Sequence, residues 1–467
     1  MSTEFPSNTI QEIEEHNLCS TTELRRRNAS MASTRVFSAE ILSYIFSYVL
    51  HDVERKERHR QCEFVRLGHI CSEWRDIIIS TPLLWSKFRV DIAKELYEET
   101  PISKVVPYFP LLLLYINNPG NCPFRLDVVF PSYYYTAQEI LKQLQQYVPN
   151  VHTLTIQGMS WVSELPWSSW LSVENLTIKF LHPHWIDDKR NISFVKFTRL
   201  RHLTIHQHTF DRYIQLPGEQ ITSLELVDVP VDLCMSLLLR CLNLVKFRAL
   251  QSTEPAPRYH RDLQRPEPTR NLDYLSWSFQ SNSACSSVYH QLRFPSLCYL
   301  SWYGSTFEGS EDEEMSALRS LVPNLPPTAS RLRLTIAYDW SDDFTEFLFV
   351  NMRNLRGVYL DHCGLPIIIH FLSLVNRMSD WGGCCILPLL DEVTIEINHS
   401  LRTRVLVESK IAPYLLPLFH LRDPYKTRQF TLRIRHYGKT LAKELHEACV
   451  SLRKEGYALK IQKMGLD

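Results

Sequence analysis

Apolar residues along this chain follow two different rules, one before and one after about residue 120. In "FSAEILSYIFSYVL" (37–50), Ile41, Leu42, Ile45, Phe46 and Val49 recur three and four apart, the spacing of one face of a helix. Ser38 stands where an N-cap belongs. Beyond a charge-dense spacer, "HDVERKERHR" (51–60), a second set of Phe64, Leu67, Ile70, Cys71, Trp74, Ile77 and Ile78 predicts another helix. It stops before Pro82, because proline disfavours helical backbone at the residue that precedes it. Leu84 and Trp85 follow directly. Two or three short helices in about 50 residues make a core too small to be comfortable alone, so this region needs a neighbour or a partner.

From about 120 onward the rule becomes L-x-x-L-x-L. It reads Val151-H-T-Leu154-T-Ile156, Val173-E-N-Leu176-T-Ile178, Leu200-R-H-Leu203-T-Ile205 and Ile221-T-S-Leu224-E-Leu226. It continues as Leu272-D-Y-Leu275-S-Trp277, Leu297-C-Y-Leu300-S-Trp302, Leu355-R-G-Val358-Y-Leu360 and Leu390-D-E-Val393-T-Ile395, with weaker copies at Phe247 and Leu332. Steps between the central positions are 22, 27, 21, 23, 28, 25, 32, 26 and 35 residues, mostly near the ~20–29 of a leucine-rich repeat. The copy at 355–365 carries Cys363 where the fuller motif has Asn or Cys, and the copy at 390 has Asn398 there; most others lack that residue, so the repeats are degenerate.

Helical segments such as 137–150 and 313–324 lie between the strand signals, each ending near a Pro-Asn pair. Strand-then-helix units of this kind stack into a curved solenoid with a parallel sheet on its concave side. The C-terminal stretch reads as strand, helix (Leu441, Leu445, Ala448, Leu452) and strand, a cap for the array. Thr155, Thr177, Thr204, Glu225, Ser276, Ser301, Tyr359 and Thr394 alternate with the inward residues and are expected on a polar, nearly neutral concave face; Trp277 and Trp302 point inward. The predicted fold class is therefore α/β: a small N-terminal helical domain followed by an α/β leucine-rich-repeat-like solenoid. Its divisions are a flexible polar tail (1–34), the helical domain (35–90), a helical connector (91–120) and the solenoid with its cap (121–467).

Composition narrows the functional classes. With 45% hydrophobic and 22% charged residues the chain is expected to fold rather than remain disordered. Lys plus Arg equals Asp plus Glu at 51 each, so the excess positive charge that draws a protein to phosphate backbones is missing, which argues against nucleic acid as a partner. The 12 cysteines form no CxxC pair and "MSTEFPSNTIQEIEEHNLCS" has no apolar signal core; reduced thiols in the cytoplasm or nucleus are expected. The apolar runs 108–116 and 365–375 fall short of the ~20 residues of a membrane span, so no membrane partner is expected.

Motifs of catalysis fail residue by residue, so no enzyme, cofactor or metal is expected. "YGKT" (437–440) has Arg433 where a phosphate loop needs glycine, and "HEACV" (446–450) ends on Val450 where a zinc-protease helix needs its second histidine. No G-x-S-x-G occurs. His202, His206 and His208 share a strand face but lack a carboxylate or cysteine partner, and Cys384-Cys385 reads as a loop pair. The acidic run 308–314 and the proline-rich run 252–270 read as solvated loops.

The first block of the chain resembles an F-box, whose pattern is Leu-Pro-x-Glu-Ile/Leu-Leu-x-x-Ile-Phe, then Val-Cys-x-x-Trp, then Leu-Trp. Glu40, Ile41, Leu42, Ile45 and Phe46 match the first part, Ile70, Cys71 and Trp74 the second, Leu84 and Trp85 the third. The charged insert and "STPLLW" are similar to the fungal members of that family. Phe37-Ser38 replaces the opening Leu-Pro. The resemblance covers 35–90 closely and, as a looser leucine-rich likeness, 120–467. It implies docking on the Skp adaptor, and through it on cullin, in an SCF-type ubiquitin ligase whose repeats capture a protein substrate of unknown identity. Ile41, Leu42, Ile45, Phe46, Ile70 and Trp74 are then the candidate partner-binding residues, against the alternative that all six form intradomain core. The competing functional class is a ligase-independent interaction scaffold in which the helical domain only caps the array.

Overall fold

The computed structural model describes residues 23, 37–52, 65–91, 108–130, 151–158, 170–180, 192–206, 214–250, 270–278, 289–290, 292–304, 311–336, 340–377, 386–397, 401–422, 430–436 and 441–464. The helix expected over 137–150, most of the tail and of the proline-rich run, residues 308–310 of the acidic run, His208, Cys384-Cys385, Asn398 and the side chain of Val49 lie outside them. Two compact units emerge, Met1–Thr155 and Ile156–Asp467.

The first unit contains α1 (Ala39–Asp52), α2 (Ser72–Ser80), a 3-10 turn (Pro82–Trp85), β1 (Lys87–Asp91), α3 (Tyr108–Asn117), β2 (Phe124–Val129) and β3 (Val151–Gln157), in which the unit boundary falls. Ser38 caps α1, its hydroxyl accepting from the Ile41 N–H at 3.5 Å. The second apolar run is not one helix. It is helical over 65–68, turns at 69–70, then restarts at Cys71, whose backbone is extended and whose Sγ accepts from the Trp74 N–H at 3.4 Å. Glycine at 68 weakens a continuous helix, and the Gly68 carbonyl accepts from Arg75 Nε at 3.0 Å instead.

Pro82 opens the 3-10 turn that buries Trp85. The indole N–H donates to the Ile78 carbonyl at 2.7 Å, and the ring meets Tyr115 edge-on at 5.0 Å. Phe88 lies 4.9 Å from the same tyrosine. Trp85 thus ties α2 to α3, and β1 lies beside β2 in parallel, Phe88 opposite Leu126 and Val90 opposite Val128. The neighbour that the small helical core requires is this strand and helix.

In the second unit each L-x-x-L-x-L copy delivers one strand. These are β4 (Asn175–Lys179), β6 (His202–His206), β8 (Ser223–Val227), β9 (Lys246–Leu250), β10 (Tyr274–Ser278), β11 (Tyr299–Tyr303), β12 (Arg331–Thr335), β13 (Gly357–Asp361) and β14 (Glu392–Ile397). The C-terminal stretch adds β15 (Thr431–His436) and β16 (Leu459–Lys463), and the two-residue β5 (Ile192–Ser193) and β7 (Ile214–Gln215) pair only with each other. All neighbours from β4 to β16 pair in parallel, and the sheet is open. The motif leucines lie in register: Leu176, Leu203, Leu224, Phe247, Leu275, Leu300, Leu332, Val358, Val393 and Leu432 form one buried row. The weaker copies take their places in it. In the next row Ala249 stands opposite Trp277, whose ring stacks on Phe247 at 5.9 Å; the small side chain leaves room for the large one.

Two repeated devices fix where each strand starts. In six of the copies an apolar residue three before the motif leucine closes a tight turn: Val173, Leu244, Leu297, Ala329, Leu355 and Leu390 each bond the carbonyl three residues back, as where Leu244 N–H bonds the Cys241 carbonyl and Leu355 N–H the Met352 carbonyl. Immediately afterwards one carbonyl accepts from two consecutive N–H groups of the next strand: Thr222 from Val245 and Lys246, Val245 from Asp273 and Tyr274, Asp273 from Cys298 and Tyr299. Cys363 holds the turn after β13, its thiol donating to the Leu334 carbonyl at 3.4 Å. At Gly304 a Cβ would lie 2.4 Å from the Ile336 carbonyl oxygen, so only glycine fits there.

The intervening helices are α4 (Val231–Arg240), α5 (Glu311–Leu321), α6 (Asp342–Asn351), α7 (Leu365–Asn376), α8 (Leu401–Arg422) and α9 (Lys443–Lys454). From α6 to α9 each packs on the next. The acidic run read as a solvated loop instead starts α5, where carboxylates suit a helix N-terminus. Its Glu314 is buried and accepts from the Trp302 indole at 2.8 Å. In α8 the buried Glu408 accepts from the Ala442 N–H at the head of α9.

Burial pushes the Cys241 thiol up to about 12 and the Cys449 thiol to about 11. Both stay protonated, and a thiol reacts as its thiolate. The native chain is therefore expected to leave both unmodified by iodoacetamide at about pH 8, while among the described cysteines the half-buried Cys71 and Cys122 are labelled before them. Peptide mass mapping before and after denaturation checks this.

Candidate functional site

Helix α1 has apolar residues on two opposite faces. At 100° per residue, Leu42 and Phe46 fall on one side, Ile41, Tyr44, Ile45 and Tyr48 within about a quarter-turn on the other. The first side is core: Leu42 and Phe46 are each 2% exposed, and the Phe46 ring lies 4.9 Å from Trp74. Ser43 Oγ bonds Thr81 Oγ1 at 3.0 Å, anchoring the helix to the end of α2. That anchorage fixes which side faces out.

The outer side is open. Tyr44 is 73% exposed, Tyr48 66%, Ile41 48% and Ile45 37%, and Phe37 continues the stripe at the helix start. Among the described side chains no charged group interrupts it between Phe37 and Tyr48, and Glu40 beside it is held ionised to lower pH than an ordinary carboxylate by its hydrogen bond with Ser38. Single exposed apolar residues are ordinary, whereas a contiguous stripe from Phe37 to Tyr48 is not.

The six candidates from the sequence thus separate. Leu42 and Phe46 belong to the core and are closed to a partner; Ile41 and Ile45 lie open on α1. Ile70 is open in the turn before α2, and Trp74 is half-buried against Phe46. Phe37, Tyr44, Tyr48, Ile79 and Leu83 are further exposed apolar groups of this unit that the sequence reading did not single out. The signal for two of them was present, since Tyr44 and Tyr48 stand three residues from Ile41 and Ile45 in turn.

A second surface is the polar face of the β4–β16 sheet. Of its expected residues, Ser276, Ser301 and Thr394 are fully buried and line no open surface. The weaker copies and β15 add Arg248, Arg333 and Arg433, so the face is charged rather than bland. Neighbouring strands neutralise one another: Arg248 pairs with Glu225 at 3.2 Å and Arg433 with Glu392 at 2.7 Å, and Arg333 pairs with the buried Asp361. Burial raises the Asp361 carboxyl above its ordinary value against the pull of Arg333. His206 is shifted down by burial and then by Lys179, which favours a neutral ring.

No family model matches this chain, and no curated protein does. Among the described residues no helix is long and apolar enough to cross a membrane, and no three His, Cys, Asp or Glu side chains gather as a metal site. The described surfaces are an apolar helix stripe in one unit and a polar, aromatic sheet face in the other.

Proposed function

We propose that this chain is the substrate-recognition subunit of an SCF-type cullin-RING ubiquitin ligase. Its F-box-like helices dock on the Skp adaptor, and its leucine-rich-repeat-like array holds a protein substrate, while other subunits supply the transfer chemistry. The observation that carries this reading is α1, which is anchored to its own unit through Leu42 and Phe46 and leaves Ile41, Tyr44, Ile45 and Tyr48 uncovered. An apolar helix stripe seated in a partner's groove is a recurring mode of association. Phe37, exposed at the head of the stripe, supplies apolar surface where the F-box pattern has leucine, and Ser38 caps the helix where the pattern has proline.

The test is co-elution of the full chain with purified Skp adaptor on a sizing column. A 1:1 complex is the expected outcome. A folded chain that elutes separately sinks the ligase reading and leaves the ligase-independent scaffold, whose helical domain serves only the array.

A further inference from the structure

One row of the polar sheet face, running across β9 to β14, consists of Lys246, Tyr274, Tyr299, Arg331, Gly357 and Glu392 in register. The Tyr274 and Tyr299 rings stack with centroids 4.8 Å apart and planes at 20°. That distance is the spacing of neighbouring strands, so register alone sets the stack. The Lys246 ammonium lies 5.4 Å over the Tyr274 ring, an ordinary cation–π arrangement. Tyr359 folds back over Gly357, where a Cβ would meet its ring at 3.3 Å. Its centroid is 6.2 Å from that of Tyr299, and its hydroxyl donates to Glu392 at 2.9 Å. The result is a half-exposed aromatic shelf on a face that contributes nothing to the leucine rows.

Charge on this face is unevenly used. Glu225, Asp361, Glu392 and Glu396 are each paired with an arginine of a neighbouring strand, respectively Arg248, Arg333, Arg433 and Arg435. Asp273 lies near the Cys298 thiol, which it pushes up, while that thiol donates to the Ser296 carbonyl at 3.5 Å. Among the described residues Lys246 and Arg331 form no ion pair; Arg331 is felt at longer range by Asp391. Two cations therefore bracket the tyrosine stack. Beside the rings, Ser276 and Ser301 are fully buried with hydroxyls that find no hydrogen-bond partner among the described residues. Such an arrangement costs about 1–3 kcal/mol per hydroxyl, and an uncompensated cost of this sort concentrates at functional positions.

We infer that this row binds an extended, acidic, proline-containing peptide segment, with one carboxylate on Lys246, another on Arg331, and prolyl rings on Tyr274 and Tyr299. The inference rests on the substrate-receptor reading and names the substrate's chemistry. The strands involved are interior to the sheet with their backbone groups paired on both sides, so strand addition is closed and recognition falls to side chains. Flat rings with hydroxyl donors suit a polyproline-type segment, which arrives already extended. From Lys246 to Arg331 is three strand spacings, about 14 Å, matched by acidic residues about four or five positions apart at ~3.1 Å per residue.

The experiment uses the full chain without adaptor. A fluorescein-labelled synthetic peptide with two glutamates about four positions apart and prolines between them is titrated by anisotropy. Saturable binding that weakens with salt and vanishes when lysines replace the glutamates is expected. Arg331→Glu and Lys246→Glu each weaken it on the order of tenfold, because a like charge then faces the peptide. Equal binding of the lysine peptide, unchanged binding by Arg331→Glu, or displacement of the peptide by a single-stranded oligothymidylate at lower concentration overturns the inference. The lysine peptide needs no variant, so misfolding cannot mask the answer. Adaptor binding is absent from this assay, so its failure leaves the docking stripe untouched, and failed co-elution with adaptor leaves this result standing as peptide binding alone.

Discussion

Replacing Ile41 and Ile45 together with aspartate is expected to weaken Skp adaptor binding by at least a hundredfold, about 2.7 kcal/mol, with the fold retained. Both side chains lie on the open side of α1, 48% and 37% exposed. Carboxylates there would be desolvated by a seated partner without a compensating charge, and central apolar positions dominate such contacts. The matched control is Phe46→Ala. Phe46 is 2% exposed and packs against Trp74 with the ring planes tilted at 60°, so its loss is expected to cost about 3–5 kcal/mol of stability and to be visible as an earlier thermal transition by circular dichroism. Undiminished adaptor binding by a folded Ile41→Asp, Ile45→Asp chain would sink the docking stripe.

Trp302→Ala is expected to destabilise the second unit by about 3–5 kcal/mol, read from urea denaturation followed by tryptophan fluorescence or circular dichroism. Trp302 is completely buried, and its indole donates to the buried Glu314; truncation leaves a cavity and takes a donor from a buried carboxylate. Its neighbour on β11 gives the contrast. Ser301→Ala, one residue away on the other face, removes a buried hydroxyl with no hydrogen-bond partner among the described residues and is expected to be neutral or stabilising by up to about 1 kcal/mol. Equal losses from the two substitutions would contradict the assignment of inner and outer faces.

The strands were legible because each is announced by residues that the next strand must match. Leu275 and Leu300 are far apart along the chain but adjacent in the sheet, and the period-2 pattern within each copy states which side is buried. Even the degenerate copies at Phe247 and Leu332 hold the row, since burial asks only for an apolar group of suitable size. The break at Gly68 and the restart on a cysteine cap were not legible, because Ile70, Cys71 and Trp74 keep helical spacing straight through it. Ion pairs such as Arg433 with Glu392 were hidden for a different reason: their partners meet only once the register is set. At the candidate docking site, spacing identified α1 as amphipathic but could not say that both its sides are apolar. Tyrosine belongs equally well to a core and to a wet interface, and only the anchoring of Leu42 and Phe46 shows that Tyr44 and Tyr48 face out.

The paired N–H groups that each strand start sends to one carbonyl of the strand before it tie every repeat to its neighbour and to nothing more distant. Stability in such a row is shared like tension in a line of linked elements, strongly between adjacent members and hardly at all between remote ones. Damage at Trp302 therefore has a range: amide protection against hydrogen exchange should fall most in β10, β11 and β12 and fade toward β4 and β16. Melting of the damaged unit need not then be a single all-or-none event. A half-melted sheet keeps its remaining strands in their native register, so one end of the polar face survives a lesion that erases the other.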